Sequence, residues 1–111
     1  MNKAQRFGAA MLVMSAAVSQ PVVGADLKAG AAKAKEVCAA CHGLDGNSPQ
    51  PDFPKLGGQY ADFLAKALRD YKTGARKNPI MQGFAAALTR QDIDNLAAYY
   101  AAQPSQLTTK Y

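Results

Sequence analysis

The two cysteines and the single histidine of the chain stand together as Cys38-Ala39-Ala40-Cys41-His42. Cys-x-x-Cys-His is the spacing of covalent haem attachment. Each thiol can add to a haem vinyl group to form a thioether, and the imidazole that follows can reach the iron from the proximal side. A redox dithiol also uses Cys-x-x-Cys, but in a strand-helix setting. Here the residues before the pair, Ala31 to Val37, look helical, and Gly43 begins a loop. A structural zinc site needs a full tetrahedral set of protein ligands. This run is one ligand short of it, with no other Cys or His to complete the set. A plain disulfide leaves His42 without a purpose. The residue types and their order point to haem c, one group bound through Cys38 and Cys41.

An iron held by His42 needs a second axial partner or keeps an open position. Of the four methionines, Met1, Met11 and Met14 fall in the N-terminal segment, which leaves Met81. A thioether is a soft, neutral ligand, and a Met/His pair raises the potential of the haem. Methionine also fills gaps in cores, and ligation by tyrosine or an open site are the other possibilities. With no further His or Cys in the chain, Met81 is the expected sixth ligand.

The elements that must place these groups read as helices. Asp26 can cap a first helix from about Leu27 into the cysteine pair. Gly43 to Gly58, dense in Gly, Pro, Asn and Ser, is a loop. A second helix from about Gln59 to Lys72 carries Tyr60, Leu64, Ala67, Leu68 and Tyr71 on one face. Gly74 stops it. Ala75 to Gly83 is expected to be a second loop, with Met81 in it behind the stiffening Pro79. Phe84 to Leu88 forms a short helical turn. Thr89-Arg90-Gln91-Asp92 resembles a capping box with Asp in the place of Glu. It opens a last helix whose face is Ile93, Leu96, Tyr99 and Tyr100, ending near Gln103 before Pro104. Nothing reads as a strand, so the fold class is all-α.

Residues 1–25 read as a signal peptide. Lys3 and Arg6 make a positive start, Phe7 to Val18 an apolar stretch, and Val23-Gly24-Ala25 a small-residue cleavage site. The apolar stretch falls short of the roughly 20 residues that cross a bilayer as a helix. The expected product is one domain, 26–111, exported to the periplasm, with no membrane span after processing. A domain this small gains from a covalently held cofactor that adds both cross-link and core. The formal charge is +5, and Lys3 and Arg6 leave with the signal. Two haem propionates subtract about two more charges. Little net charge remains to favour nucleic acid, although a local basic rim of Lys55, Lys66, Lys72, Arg76 and Lys77 is conceivable, interrupted by Asp62 and Asp70.

These motifs together resemble a class I cytochrome c. More narrowly, the chain is similar to the small bacterial monohaem cytochromes and to one domain of the diheme cytochrome c-four group. The likeness runs through Cys38 to Gly43, Phe53-Pro54-Lys55-Leu56-Gly57-Gly58-Gln59, Leu68 to Arg76, Met81, and Asp92 to Tyr100. The resemblance implies a cytochrome c fold, three main helices and loops wrapped around one haem. It implies that the Pro54 carbonyl accepts from Nδ1 of His42, which directs Nε2 to the metal. It also implies that Leu56 packs on the haem and that Gly30 lets the last helix cross the first at Leu96 and Tyr99. Arg76 is either a propionate partner or a solvated loop residue. With His42 and Met81 on the two faces of the iron, no position is left for substrate. The remaining capacity is to take and give single electrons, as an electron carrier and not an enzyme. The family further implies a soluble monomer serving redox protein partners: a donor such as a quinol-oxidising complex and an acceptor such as a terminal oxidase or reductase. A haem-bearing subunit of a dehydrogenase or oxidase complex is the alternative. A ligand-binding sensor or peroxidase would require Met81 to leave the iron.

Overall fold

Asp26 opens the first helix as the sequence predicts. Its carboxylate accepts from the backbone N–H groups of Lys28 at 2.9 Å and Ala29 at 3.1 Å, which satisfies donors that the first turn leaves free. The computed structural model describes residues 24–107, together with Gly8 and Ala10. Nearly all of the expected signal segment, and Thr108 to Tyr111, lie outside the described residues. Helix α1 spans Leu27–Val37, and after a break at Cys38 the one-turn α2 spans Ala39–His42. The haem motif therefore sits on a helical corner rather than inside one continuous helix.

Helix α3, Ala61–Thr73, starts later than the apolar spacing suggests. Tyr60 is its extended N-cap residue and is 78% exposed, so it does not share the buried face with Leu64. Gly74 ends the helix at φ +83°, a left-handed conformation that glycine adopts without a Cβ penalty.

The expectation of a loop over residues 75–83 is corrected. Helix α4 runs from Pro79 to Ala86, so Met81 lies in its first turn and Phe84 within it. The Asn78 side chain accepts from the N–H groups of Ile80 and Met81, both at 3.1 Å, and Pro79 takes a first-turn position. Asn at the cap followed by Pro is a helix start, because proline's fixed φ suits the first turn and its missing N–H costs nothing there. Pro79, expected only to stiffen a loop before Met81, begins the helix instead. The stretch Phe84 to Leu88 is thus the end of α4 and the turn after it.

Helix α5, Arg90–Ala101, opens on the expected capping box. Thr89 Oγ1 accepts from Asp92 N at 3.0 Å, and the Asp92 carboxylate accepts from Thr89 N at 2.9 Å. This reciprocal bonding holds the Asp92 carboxyl below its usual range, the Thr89 backbone N–H being the first cause. Helix α5 packs against both α1 and α3, and α3 packs against α4. The core is Ala34, Leu64, Ala65, Ala85, Leu88, Ile93, Leu96, Ala97 and Tyr100. Where α1 and α5 cross, a Cβ on Gly30 would run into the Asn95 carbonyl and lie 2.9 Å from Tyr99 Cβ. The close approach expected at Gly30 exists, and the chain it meets is at Asn95 and Tyr99 rather than Leu96. Buried Asn95 also ties the start of α1 to α5, its Oδ1 accepting from Asp26 N at 2.8 Å.

Candidate haem site

The helices α1 to α5 and the loop 43–58 enclose a cavity of about 310 Å³. Cys38 and Cys41 reach its wall from the α1–α2 corner, His42 from the end of α2, and Met81 from the first turn of α4. Leu56, Leu64, Leu68, Leu88, Leu96 and Tyr100 supply apolar lining. Residues far apart in the chain, His42 and Met81, thus share one chamber because α4 folds back over α3.

His42 is 7% exposed, and its Nδ1 lies 2.8 Å from the Pro54 carbonyl oxygen. A carbonyl can only accept, so Nδ1 carries the proton and Nε2 is the free lone pair. The resemblance anticipated this contact, and the geometry contains it. The ring of Phe53 meets the imidazole edge-on at 6.4 Å between centroids. Cys38 and Cys41 form no disulfide. Burial pushes the Cys38 thiol up to about 11, against an opposing hydrogen bond to Tyr100 and the charge of Lys33. Burial likewise raises Tyr100, whose hydroxyl donates to the Gly43 carbonyl oxygen at 3.3 Å.

These residues fit a haem. Two thiols, an imidazole with one nitrogen committed and a thioether line a chamber whose walls are otherwise mostly apolar. Phe63, Ile80 and Phe84, each at least 47% exposed, also line it. Large apolar side chains left open around one cavity are what a flat apolar macrocycle would cover. Leu56 is on the wall. Arg76 also lines the chamber, with its guanidinium 5.0 Å above the Tyr71 ring, a stacked cation held beside the cavity.

Two residues of the conceivable basic rim are engaged elsewhere. Lys66 pairs with Asp70 one turn on. Lys72 turns its ammonium to the carbonyls of Ala86 and Leu88 at the end of α4. It acts as a cap for that helix rather than as part of a docking patch. Sequence reading missed this role, and it also missed Ile80, Phe63 and Phe84 as lining residues. Their signal was present: an apolar residue next to Met81, and two phenylalanines on the exposed sides of α3 and α4.

The family model for cytochrome c matches residues 27–102. The chain belongs to the cytochrome c family. It is 51% identical over 78 residues to cytochrome c4 of Pseudomonas aeruginosa, covering 70% of this chain and 38% of that one. It is 44% identical over 77 residues to a thiosulfate dehydrogenase electron acceptor of Stutzerimonas stutzeri, covering 68% of this chain and 36% of that one. The crystal structure of reduced recombinant cytochrome c4 from Pseudomonas stutzeri superposes with a TM-score of 0.68 at 43% identity, over 73% of this chain and 47% of that chain. The chain therefore spans about two fifths of the length of these two curated relatives. The cytochrome c fold is shared, and membership of the family brings covalent haem c, with Cys38 and Cys41 as the thiols in place for it. Among the described residues no helix is long and apolar enough to cross a membrane.

Proposed function

We propose that this cytochrome is exported to the periplasm by cleavage after Ala25 and carries single electrons between redox proteins, its haem iron held between His42 Nε2 and the Met81 sulfur. The observation that carries this reading is the common chamber: Met81 lies on the same cavity wall system as His42, whose Nδ1 is already engaged by Pro54. When bound, haem c supplies a one-electron couple. The chain's part is to hold it. Cys38 and Cys41 anchor it, and the Pro54 carbonyl keeps the imidazole in one tautomer and increases its donor strength. Met81 would supply the second ligand to the iron, leaving no open position for substrate. The apolar walls exclude water and limit reorganisation when the charge changes. Arg76, which lines the chamber, would pair with a propionate. Phe63, Ile80 and Phe84, around the chamber, would border the haem on the side from which a redox partner approaches. The name of the S. stutzeri relative, an electron acceptor, supports the carrier reading.

The test is an optical redox titration of the purified holoprotein with cyanide and CO challenge. A single one-electron wave at positive potential, with no CO adduct of the ferrous form, is expected. A ferrous spectrum that changes with CO would show an open iron and overturn the Met81 assignment. Stable co-purification with a catalytic subunit would instead establish the complex-subunit alternative.

A further inference from the structure

The loop that carries Pro54 is bonded within itself and also held from outside. The residues after α5 grip it. Asn47 donates from Nδ2 to the Pro104 carbonyl at 2.8 Å and to the Asp45 carbonyl at 3.3 Å. Its Oδ1 is shielded from solvent with no partner. Two carbonyls around Nδ2 fix the orientation of the amide, because a flipped Asn would set oxygen against oxygen. The unsatisfied oxygen is a cost that the amide accepts to keep those two bonds.

Further ties run the same way. Gly58 N donates to the Tyr100 carbonyl at 3.0 Å. Lys55 Nζ donates to Gln106 Oε1 at 3.1 Å, and Tyr99 Oη donates to the Leu44 carbonyl at 2.5 Å. A Cβ on Gly57 would lie 2.6 Å from both Asn47 Nδ2 and the Pro104 oxygen, so the two segments are in direct contact. Inside the loop, Leu56 N and Gly57 N both donate to the Gly46 carbonyl, at 2.6 and 3.2 Å. Pro54 thus sits on a short arc whose neighbours Lys55, Leu56 and Gly58 are all tethered, while Pro54 itself is exposed.

We propose that the segment Gln103 to Gln106 is a strap that sets the position of the Pro54 carbonyl against His42, and that Asn47 is the positioning residue that couples strap to loop. It acts on the iron only through the His42 Nδ1–H bond. A firmly placed acceptor draws the proton outward and makes the imidazole a stronger donor, which favours ferric iron. A loosened strap weakens that bond and moves the potential upward. The inference rests on His42 being an axial ligand.

The test compares holoprotein of wild type, Asn47→Ala and Asn47→Asp. The Asp variant keeps the shape but replaces the two donor bonds with repulsion, so it reports even where Ala fails to fold. Asp26→Ala serves as control, since it removes the α1 cap and touches neither strap nor loop. The readouts are the exchange rate of the His42 Nδ1 proton by NMR and the midpoint potential. Both Asn47 variants are expected to exchange that proton about tenfold faster, the loss of one such bond, and to shift to a more positive potential. Asp26→Ala should do neither. Unchanged exchange in the Asn47 variants, or an equal change in Asp26→Ala, overturns the strap. A low-spin, six-coordinate wild-type spectrum tests ligation separately. The proton-exchange comparison holds whether or not His42 binds the iron.

Discussion

At the level of single residues, the proposed ligation rests on His42 and Met81, and the two are placed by different means. His42 is locked by burial and by the Pro54 carbonyl at 2.8 Å. Met81 is half-buried and is set by the start of α4. Replacing Met81 with Ala is expected to lower the midpoint potential by on the order of 100 mV, a modest part of the roughly 0.8 V that axial ligands command. It should also abolish the near-infrared band of sulfur ligation and admit CO, both read by absorption spectroscopy. An unchanged spectrum would make Met81 mere packing. Met81→His should keep six-coordination and still lower the potential, because imidazole favours ferric iron more than a thioether does. Cys38→Ala is expected to leave one thioether or to block maturation. Mass spectrometry of the denatured protein, with haem retained or extractable into acidified solvent, distinguishes these.

At the level of elements, two helix starts do most of the placing. Asn78 caps α4 through two N–H groups, one of them Met81's own. Asn78→Ala should cost about 1 kcal/mol of stability. In the oxidised protein it should also make Met81 easier to displace, so cyanide should bind faster in stopped-flow measurements while the ferrous spectrum is kept. The capping box of α5 depends on ionised Asp92. Its folded carboxyl lies below the ordinary value, so its contribution is complete above the unfolded pKa of about 3.9 and is lost as pH falls through the lower folded value. Asp92→Asn is expected to flatten the acid limb of a stability-against-pH curve between about pH 5 and pH 2, measured by denaturant midpoints, and to leave the neutral region nearly parallel to wild type. At the α1–α5 crossing, Gly30→Ala puts a methyl into the Asn95 carbonyl. Helix propensity would favour Ala by about 1 kcal/mol, but overpacking typically costs ~1–3 kcal/mol. The clash is with backbone, which cannot rotate away, so a net loss is expected in thermal melts.

On the scale of the whole molecule, the cofactor is part of the core. The protein's own buried apolar set has small members, four of them alanine, beside a chamber of about 310 Å³. Protein expressed without haem maturation is expected to lack cooperative unfolding and near-ultraviolet dichroism, because the chamber walls lose their partner. A sharp thermal transition in such apoprotein would show that the helices fold by themselves. Processing belongs to this scale too. N-terminal sequencing of the exported protein should begin at Asp26, where the backbone nitrogen already meets Asn95 Oδ1.

The sequence by itself determined the haem motif, the Met81 candidate, the all-helical class and three of the helix caps or stops, at Asp26, Gly74 and Thr89. These are local matters: ligand identity, spacing along a few residues, and side chains bonding to backbone within one turn. Asn78-Pro79 was equally local, and was read as part of a loop because a proline that stiffens a loop also suits the first turn of a helix. What only the tertiary structure decided is which distant groups meet. The shared chamber of His42 and Met81, Lys72 capping α4 rather than lining a rim, Asn95 holding Asp26, and Asn47 fastening the C-terminal segment all join residues at least fourteen positions apart. No periodicity encodes such pairs. They follow from how α3, α4 and α5 pack and from backbone carbonyls that any residue type could present, so their partners became visible only once the chain was folded.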